Sequence, residues 1–184
     1  MKNKATISFE VFPPKNKEGD ISSIYRTIDE LAKLNPDFIS VTYGAGGSTK
    51  GKTVEIASKI KNDYHIESVA HLTCISSTKE EVLAMCQQLK DNNIENILSL
   101  RGDYPRDDSF DKEKLEFHYA KDLNTLITNE FPHDFCLSGA CYPEVHTDAA
   151  CFEDDLKALK EKVEAGAEYL ITQIFFDNNY YYRL

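Results

Sequence analysis

The sequence predicts an α/β fold in which parallel strands alternate with helices, and three observations lead to this prediction. Short apolar runs recur at intervals of about thirty residues, the length needed for a strand, a crossover helix and the next strand. Helical periodicity fills most of the gaps between these runs. Clusters of polar residues follow the runs, as in barrels whose chemistry lies at the C-terminal ends of the strands. We therefore expect a (β/α)8 TIM barrel.

Six strands are predicted from the apolar runs. They cover residues 7–10, 38–43, 69–72, 97–103, 135–139 and 169–173. A closed barrel of eight strands typically needs about 250 residues. Because the chain has 184 residues, we expect a barrel truncated after about the sixth strand. Residues 1–184 would then form a single, incomplete catalytic barrel domain.

Three helices are predicted in the first half of the chain. The first begins after Gly19-Asp20 and ends before Asn35-Pro36, and the second follows the glycine-rich turn 46–49. The third begins near Ser77-Thr78, where Glu81 stands three residues after Thr78 in a capping-box arrangement.

Two further helices are predicted in the second half. The fourth is expected over about 115–130, after a long irregular stretch that begins at Tyr104. The fifth is expected over about 152–165, with Gly166 as its stop. Its inward-facing residues are predicted to be Phe152, Leu156, Leu159 and Val163.

Composition narrows the class of protein. The chain has 21 Lys and Arg against 31 Asp and Glu, a formal net charge of −10, which disfavours binding to nucleic acid or anionic lipid. Its five cysteines are odd in number and contain no C-x-x-C pair, so reduced thiols are expected. No signal peptide and no apolar stretch near 18 residues is present, so we expect a cytoplasmic protein.

Glu10 is the first candidate for chemistry. It lies in an apolar strand, two residues before Phe12-Pro13-Pro14. A strand-end carboxyl beside aromatic rings would be desolvated, which raises its pKa and suits a general acid. The alternative is a carboxylate paired with a Lys or Arg across the barrel rim, and local sequence does not decide between the two.

Two segments invite ligand or metal interpretations. The glycine-rich turn 43–49 enters a helix and offers backbone N–H groups to an anion, although a tight turn with an N-cap at Ser48 or Thr49 explains it almost as well. His71 lies three residues from Cys74. Strand side chains alternate between faces, so these two residues point in opposite directions and no metal site is expected. His71 remains a candidate to hydrogen-bond a ligand or a neighbour.

Residues after the fourth and fifth strands suit a heterocycle with a phosphate tail. Arg101-Gly102-Asp103 ends the fourth strand with a cation, a glycine and a carboxylate, although an internal Arg–Asp ion pair is the alternative. On the fifth helix Asp155, Ala158 and Lys162 share one face, where Asp155 would hold a ribose hydroxyl and Lys162 a phosphate; plain solvated surface is the alternative. Gln173 offers an amide to a flat ring.

Six segments resemble, in the same order, those of the methylenetetrahydrofolate reductase family, whose members are flavin enzymes of one-carbon metabolism. The likeness covers essentially the whole chain, and the set of six is far more specific than any single segment. The segments are 9–14, 41–45, 71–74, 100–103, 141–146 and 172–177, which read FEVFPP, VTYGA, HLTC, LRGD, CYPEVH and TQIFFD.

The resemblance implies a (β/α)8 barrel that binds FAD non-covalently. NADH or NADPH would reduce the flavin and then leave, so that the folate occupies the same face. The flavin would then pass a hydride to 5,10-methylenetetrahydrofolate and give 5-methyltetrahydrofolate. These small molecules are the expected partners, without nucleic acid, membrane or metal, and the full-length enzyme is expected to be a homo-oligomer.

The resemblance also implies roles for individual residues. Glu10 would be the general acid that opens the folate's five-membered ring, Asp103 would stabilise the resulting cation and contact the pterin, and Gln173 would bind the substrate. Glu10 would then be buried and neutral while Asp103 is ionised. The positions expected around FAD are Thr42, Tyr43, Ala45, His71, Arg101, Gly102, Asp103, Tyr119, Ala120, Tyr142, His146, Ala149, Asp155 and Lys162.

The chain departs from the family pattern at Ala158 and Glu161, where the family commonly offers an amide and a basic residue to the FAD diphosphate. A carboxylate at Glu161 would repel a diphosphate unless it turns outward.

Two other hypotheses are weighed against the reductase. One is a partial barrel without activity of its own, with unpaired strand edges. The other is a phosphate-binding lyase, which predicts a Schiff-base lysine or a carboxylate–histidine metal cluster at strand ends, and the sequence places neither there.

Overall fold

The computed structural model describes residues 5–14, 21–43, 50–104 and 115–184. In this part of the chain six parallel strands form one sheet, and their order along the chain is their order in the sheet. This α/β arrangement is that of a curled, TIM-barrel-like sheet, and all six predicted strands are confirmed. The strands are β1 (Ser8–Val11), β2 (Phe38–Val41), β3 (Glu67–Thr73), β4 (Asn96–Leu100), β5 (Cys136–Cys141) and β6 (Ala167–Thr172).

A helix follows each of these strands, and the helices between consecutive strands provide the crossovers that parallel neighbours need. Within the described residues the helices are α1 (Ser22–Ala32), α2 (Lys50–Asn62), α3 (Lys79–Asp91), α4 (Ala120–Glu130), α5 (Phe152–Glu164) and α6 (Asn178–Arg183). None of the described helices is both long enough and apolar enough to cross a membrane.

The core lies between the helices and one face of the sheet. Parallel pairing places apolar residues of neighbouring strands in one row, and this row joins the inward stripes of α1 to α4. Full burial of one such side chain contributes about 1.5–3 kcal/mol, so this layer is the main source of stability. The row consists of Val11, Val41, Ala70, Ile97 and Leu137.

Two predicted helix boundaries are confirmed by their capping contacts. At the start of α3, Thr78 Oγ1 accepts a hydrogen bond from the Glu81 N–H at 3.2 Å, and Glu81 Oε2 accepts one from the Thr78 N–H at 3.3 Å. This is the capping box expected from the sequence. At the end of α5, Gly166 has a φ of +116°, a left-handed conformation that favours glycine.

The predicted start of the fourth helix is wrong. The helix begins at Ala120 rather than near residue 115. The reason is the Asp122 carboxylate, which accepts hydrogen bonds from the N–H groups of His118 and Tyr119, both at 2.9 Å. Tyr119 itself is extended, with φ −141° and ψ 160°. The carboxylate therefore satisfies the N–H groups that precede the helix and stops it from extending towards residue 115.

The inward stripe predicted for α5 is also partly wrong. Leu156 and Val163 are 42% and 46% exposed, whereas Phe152 and Leu159 are partly buried. The helix packs against α4, β5 and β6, and none of the described elements covers its Leu156–Val163 side. The apolar period of a helix shows that it has an apolar face, but the neighbours decide how much of that face is buried.

The cysteines are all free, as predicted. Cys74, Cys86 and Cys141 are buried, Cys136 is partly buried and Cys151 is exposed. Burial raises the pKa of the Cys74 and Cys86 thiols to about 12 in each case, so both are uncharged at neutral pH.

Candidate functional site

A cavity of about 530 Å³ opens between the C-terminal ends of β4 and β5 and the helices α4 and α5. This volume lies in the range of about 300–1,000 Å³ that is usual for small-molecule sites. Several elements meet in its wall, so no single motif creates it. We call it the α5 cavity. Eight residues predicted around FAD line it: Arg101, Tyr119, Ala120, Tyr142, His146, Ala149, Asp155 and Lys162.

Arg101 is held in the wall of the α5 cavity by both its backbone and its side chain. Its carbonyl accepts hydrogen bonds from the N–H groups of Cys74 at 3.3 Å and Ile75 at 2.9 Å. Its guanidinium lies 2.9 Å from Asp148 Oδ2 and 5.1 Å from the centre of the Tyr104 ring. An Arg–Asp ion pair was one of the two predicted alternatives, and its acidic partner is Asp148.

Gly102 has a structural reason to be glycine. Its φ is +86°, and a Cβ at this position would lie 3.0 Å from Thr73 Cβ. At Gly102 the backbone therefore closely approaches the end of β3. Because β4 must turn tightly against β3 here, a larger residue would move Arg101 as well.

The segment after β5 is shaped by α5. The His146 N–H donates a hydrogen bond to Asp155 Oδ2 at 2.9 Å, and the Asp148 N–H donates one to His146 Nδ1 at 3.0 Å. The Tyr142 and His146 rings meet edge to face, with centres 4.5 Å apart. Val145 has a φ of +76°, a strained conformation for a β-branched residue. Asp155 therefore organises the loop that presents Tyr142 and His146 to the α5 cavity.

The side chain of Lys162 lies over Gly139 of β5 and reaches the α5 cavity. A Cβ on Gly139 would lie 2.5 Å from Lys162 Cδ, so the lysine stem occupies the space that a side chain at Gly139 would fill. Lys162 Nζ donates a hydrogen bond to the Ala140 carbonyl at 2.5 Å. Burial lowers the pKa of this amine.

A buried polar network holds the end of α5 that carries Lys162. The Ser99 hydroxyl shares its single hydrogen between Asn124 Oδ1 and, at 3.1 Å, the Ser138 carbonyl, while Asn124 Nδ2 donates to the Lys162 carbonyl at 3.2 Å. Ser99, Ser138 and Asn124 are fully buried. Sequence reasoning missed these residues and Gly139. The available signal was a polar residue inside the apolar stripe of α4 and small residues inside two apolar strands.

The unexpected carboxylate at Glu161 is neutralised locally. Its Oε2 lies 2.6 Å from Lys121 Nζ, on the neighbouring helix α4. The hydrogen bond from Lys121 lowers the pKa of the Glu161 carboxyl. Both residues line the α5 cavity, so the pair adds little net charge there.

Glu10, Ser40 and His71 form a second polar group on β1, β2 and β3, which we call the rim cluster. His71 Nε2 lies 3.3 Å from Glu10 Oε2, an ion-pair distance that lies off the direction of a hydrogen bond. The Ser40 hydroxyl donates to the same carboxyl oxygen at 3.4 Å. His71 is only 7% exposed.

The predicted pKa of Glu10 is wrong in direction. The Glu10 side chain is 46% exposed, and its interaction with His71 lowers its pKa more than partial burial raises it. The prediction assumed that neighbouring aromatic rings would desolvate the carboxyl. The structure instead places a histidine beside it, so the alternative of a paired carboxylate is nearer to the observation, with His71 in place of a Lys or Arg.

Other predicted site residues lie outside the lining of the α5 cavity. Asp103 and Gln173 are exposed, and the Gln173 N–H donates to the Cys141 carbonyl at 2.8 Å. The Thr42 carbonyl accepts from Thr53 Oγ1 at 3.0 Å. Tyr43 packs against the core, and burial raises the pKa of its phenol. Ala45 and the rest of the turn 44–49 lie outside the described residues.

Comparison with known proteins decides the family. The family model described as "Methylenetetrahydrofolate reductase" matches residues 1–184. The chain belongs to the methylenetetrahydrofolate reductase family. It is 40% identical over 183 residues to the 5,10-methylenetetrahydrofolate reductase of Escherichia coli (strain K12), with 100% of this chain and 59% of that protein covered. The chain therefore spans about three fifths of that relative's length.

A plant relative shows the same relationship over a smaller share of its length. The methylenetetrahydrofolate reductase (NADH) 1 of Arabidopsis thaliana is 36% identical over 186 residues, covering 96% of this chain and 31% of that protein. The family resemblance inferred from the six sequence segments is thereby confirmed.

Solved structures support the fold. A protein titled "QR15, an Aldolase" has a TM-score of 0.62 at 12% identity, covering 92% of this chain and 68% of that one. An uncharacterized protein from Clostridium thermocellum, whose title states that it binds two copies of 5-methyl-5,6,7,8-tetrahydrofolic acid, has a TM-score of 0.58 at 18% identity. It covers 96% of this chain and 56% of that chain. Identities this low carry only the α/β barrel architecture.

Proposed function

We propose that residues 1–184 are a catalytic barrel domain that transfers a hydride from NADH or NADPH, through FAD, to 5,10-methylenetetrahydrofolate. The product would be 5-methyltetrahydrofolate. Membership of the methylenetetrahydrofolate reductase family supports this reaction. The observation that supports FAD as the cofactor is the α5 cavity, where eight residues expected around FAD meet although they come from different segments of the chain.

The residues of the α5 cavity fit a dinucleotide. Arg101 and Lys162 supply cations for its diphosphate, and Lys162 donates its described hydrogen bond to a backbone carbonyl. Asp155 supplies a carboxylate for a ribose hydroxyl, and Tyr142 supplies an aromatic wall. When bound, FAD would accept a hydride from the nicotinamide and deliver one to the folate.

Arg101 is expected to change its partner when the dinucleotide binds. Arg101 is paired with Asp148 at 2.9 Å, and a guanidinium binds a phosphate through the same donors that it offers to a carboxylate. Arg101 would therefore release Asp148 when it binds the diphosphate. The Lys121–Glu161 pair would stay intact, because Lys121 neutralises the carboxylate of Glu161.

Glu10 would donate the proton that opens the folate ring. His71 at 3.3 Å would stabilise the carboxylate that remains after donation. Asp103 would support the cation that forms, since it is a carboxylate at the end of β4. Gln173, after β6, would bind the folate through its amide. In this scheme the rim cluster performs proton transfer and the α5 cavity holds the cofactor.

The first test is the visible spectrum of the purified 184-residue chain titrated with FAD, beside a version extended to the length of the relatives. Bound flavin in both would support a site formed by the present chain. Binding only by the extended version would favour the alternative of a partial barrel without activity of its own. The exposure of Ile174 at 71% and Phe176 at 90% is the observation that favours this alternative. No binding by either would refute the cofactor assignment.

The second test separates the two half-reactions. We expect Glu10→Gln to leave reduction of the flavin by the nicotinamide nearly intact, and to slow folate reduction by about 10²–10⁴-fold, the usual contribution of a general acid. Glu80→Gln is the matched control, because Glu80 is an exposed carboxylate in the first turn of α3. Equal loss of both half-reactions in Glu10→Gln would remove Glu10 as the acid.

A further inference from the structure

Lys162 differs from the other cations around the α5 cavity in how its amine is held. Its stem lies in the space over Gly139, and its amine reaches the Ala140 carbonyl at 2.5 Å. A surface lysine usually lays its stem along apolar surface and keeps its amine in water. Here the stem is fixed against a strand while the amine still lines an open cavity, so the amine is both positioned and accessible to a small ligand.

The charge surroundings of Lys162 also differ. Arg101 is paired with Asp148 at 2.9 Å, and Lys121 with Glu161 at 2.6 Å. Among the described residues, no carboxylate lies within ion-pair distance of the Lys162 amine. Burial lowers the pKa of this amine, while Cys141 and Asp155 face it and act in the opposite direction with smaller effect. The uncharged amine, which is the nucleophilic form, is therefore more populated than in an ordinary lysine.

We propose that Lys162 is a covalent modification site for small aldehydes that carry a phosphate. The amine nitrogen attacks the carbonyl carbon and forms a C–N bond. The carbonyl oxygen then leaves with both amine hydrogens as water, and an imine remains. The phosphate preference rests on Lys157 and Arg101, which line the same cavity. Arg101 would exchange Asp148 for the phosphate, as it would for a diphosphate. This reaction needs no bound FAD and goes beyond the proposed hydride transfer.

Pyridoxal 5′-phosphate is a suitable probe, with borohydride as the reductant that converts the imine into a stable secondary amine. Peptide mass mapping then measures how fast each lysine is labelled. We expect Lys162 to be labelled several-fold faster than Lys157, an exposed lysine that lines the same cavity. Pyridoxal, which lacks the phosphate, should label Lys162 more slowly. Labelling of Lys162 no faster than Lys157 would overturn the proposal, and equal rates for the two aldehydes would overturn the phosphate preference.

Gly139→Ala tests the structural cause. The added methyl group would collide with the Lys162 stem and expose the amine, so labelling of Lys162 should fall to the rate of Lys157. Gly51→Ala is the control, because a Cβ at Gly51 meets nothing within 4 Å. If Lys162 in Gly139→Ala is labelled at its wild-type rate, the position of its stem over Gly139 is not the cause of its reactivity. Thermal unfolding of both variants checks that the comparison is made on folded protein.

Protection by ADP connects this proposal to the proposed function while keeping the two separable. ADP carries the diphosphate and ribose expected in the α5 cavity, so it should slow labelling of Lys162 and leave exposed lysines unaffected. Fast labelling of Lys162 without ADP protection would support the reactive lysine and count against the dinucleotide site. Slow labelling together with tight ADP binding would do the reverse.

Discussion

The rim cluster and the α5 cavity are built in different ways. The rim cluster depends on sheet register: Glu10 pairs with Ser40, Ser40 pairs with Val69, and His71 lies two residues further along β3 on the same face. The α5 cavity instead needs two strand ends, two helices and the loop before α5 to meet. The residues proposed for proton transfer are thus placed by strands alone, whereas the residues proposed to hold a cofactor depend on helix packing.

The two regions also treat charge differently. In the rim cluster a histidine stabilises the charged form of Glu10. In the α5 cavity Arg101 and Lys121 already have carboxylate partners, whereas the partly buried Lys162 donates its hydrogen bond to the Ala140 carbonyl. An anionic ligand that enters the α5 cavity must therefore compete with Asp148 for Arg101.

The largest expected effect concerns Cys74, which follows β3 and contacts two residues in the wall of the α5 cavity. Its Sγ lies 3.9 Å from the Arg101 carbonyl and 3.8 Å from the Tyr119 carbonyl. A pKa of about 12 leaves about one thiolate in 10⁴ at pH 8. We expect a thiol-specific disulfide reagent to modify the exposed Cys151 first, and Cys74 only after unfolding. Cys86, buried on α3 with a similar pKa of about 12, is the matched control. Rapid reaction of Cys74 alone would mean that its contacts with Arg101 and Tyr119 open readily in the folded protein.

The next largest effect concerns the network behind the α5 cavity. Asn124→Val should remove the hydrogen bond to the Lys162 carbonyl and leave the Ser99 hydroxyl with the Ser138 carbonyl as its described partner. We expect a cost of about 2 kcal/mol of unfolding free energy. Ser99→Ala and Asn124→Val both break the hydrogen bond between Ser99 and Asn124, so the double variant should lose less stability than the sum of the two single changes. Urea unfolding of the single and double variants measures both effects. A double variant less stable than the sum of the two single changes would contradict this account of the network.

Arg101→Ala should weaken the binding of ADP about tenfold, the loss expected when one charge-assisted hydrogen bond is removed. Asp148→Asn should strengthen it, because it frees the guanidinium from a competing carboxylate. Isothermal titration calorimetry measures both. The opposite sign for Asp148→Asn would show that Asp148 positions Arg101 for the ligand instead of competing with it.

The smallest effect concerns the rim cluster. His71→Asn removes the main cause of the lowered Glu10 pKa, so this pKa should rise. Because the folded-state value is below the ordinary 4.5, the wild-type contribution to stability is present above pH 4.5 and disappears as pH falls through the lower value. It should be small, since the carboxyl is half exposed. Carboxyl NMR titration of Glu10 checks the direction, with Glu80 as the unaffected control; an unchanged Glu10 value would exclude His71 as the cause.

The sequence by itself determined the features that depend on near neighbours. The six strands followed from apolar runs, the start of α3 from its capping box, and the end of α5 from Gly166. The family followed from six short segments in order, and membership is shown by the match over residues 1–184. Each of these signals spans a few residues, so its physical cause is present in the local chain.

Only the tertiary structure decided which partner each charged group meets. The pKa of Glu10 depends on a histidine two strands away, Arg101 is paired with Asp148 beyond β5, and Lys162 is seated on Gly139 of another element. The start of α4 moved because Asp122 caps two N–H groups, and the exposure of Leu156 reflects which elements pack on α5. Electrostatic and packing energies depend on distances of a few ångströms between residues far apart in sequence, and those distances are set when the helices and strands pack together.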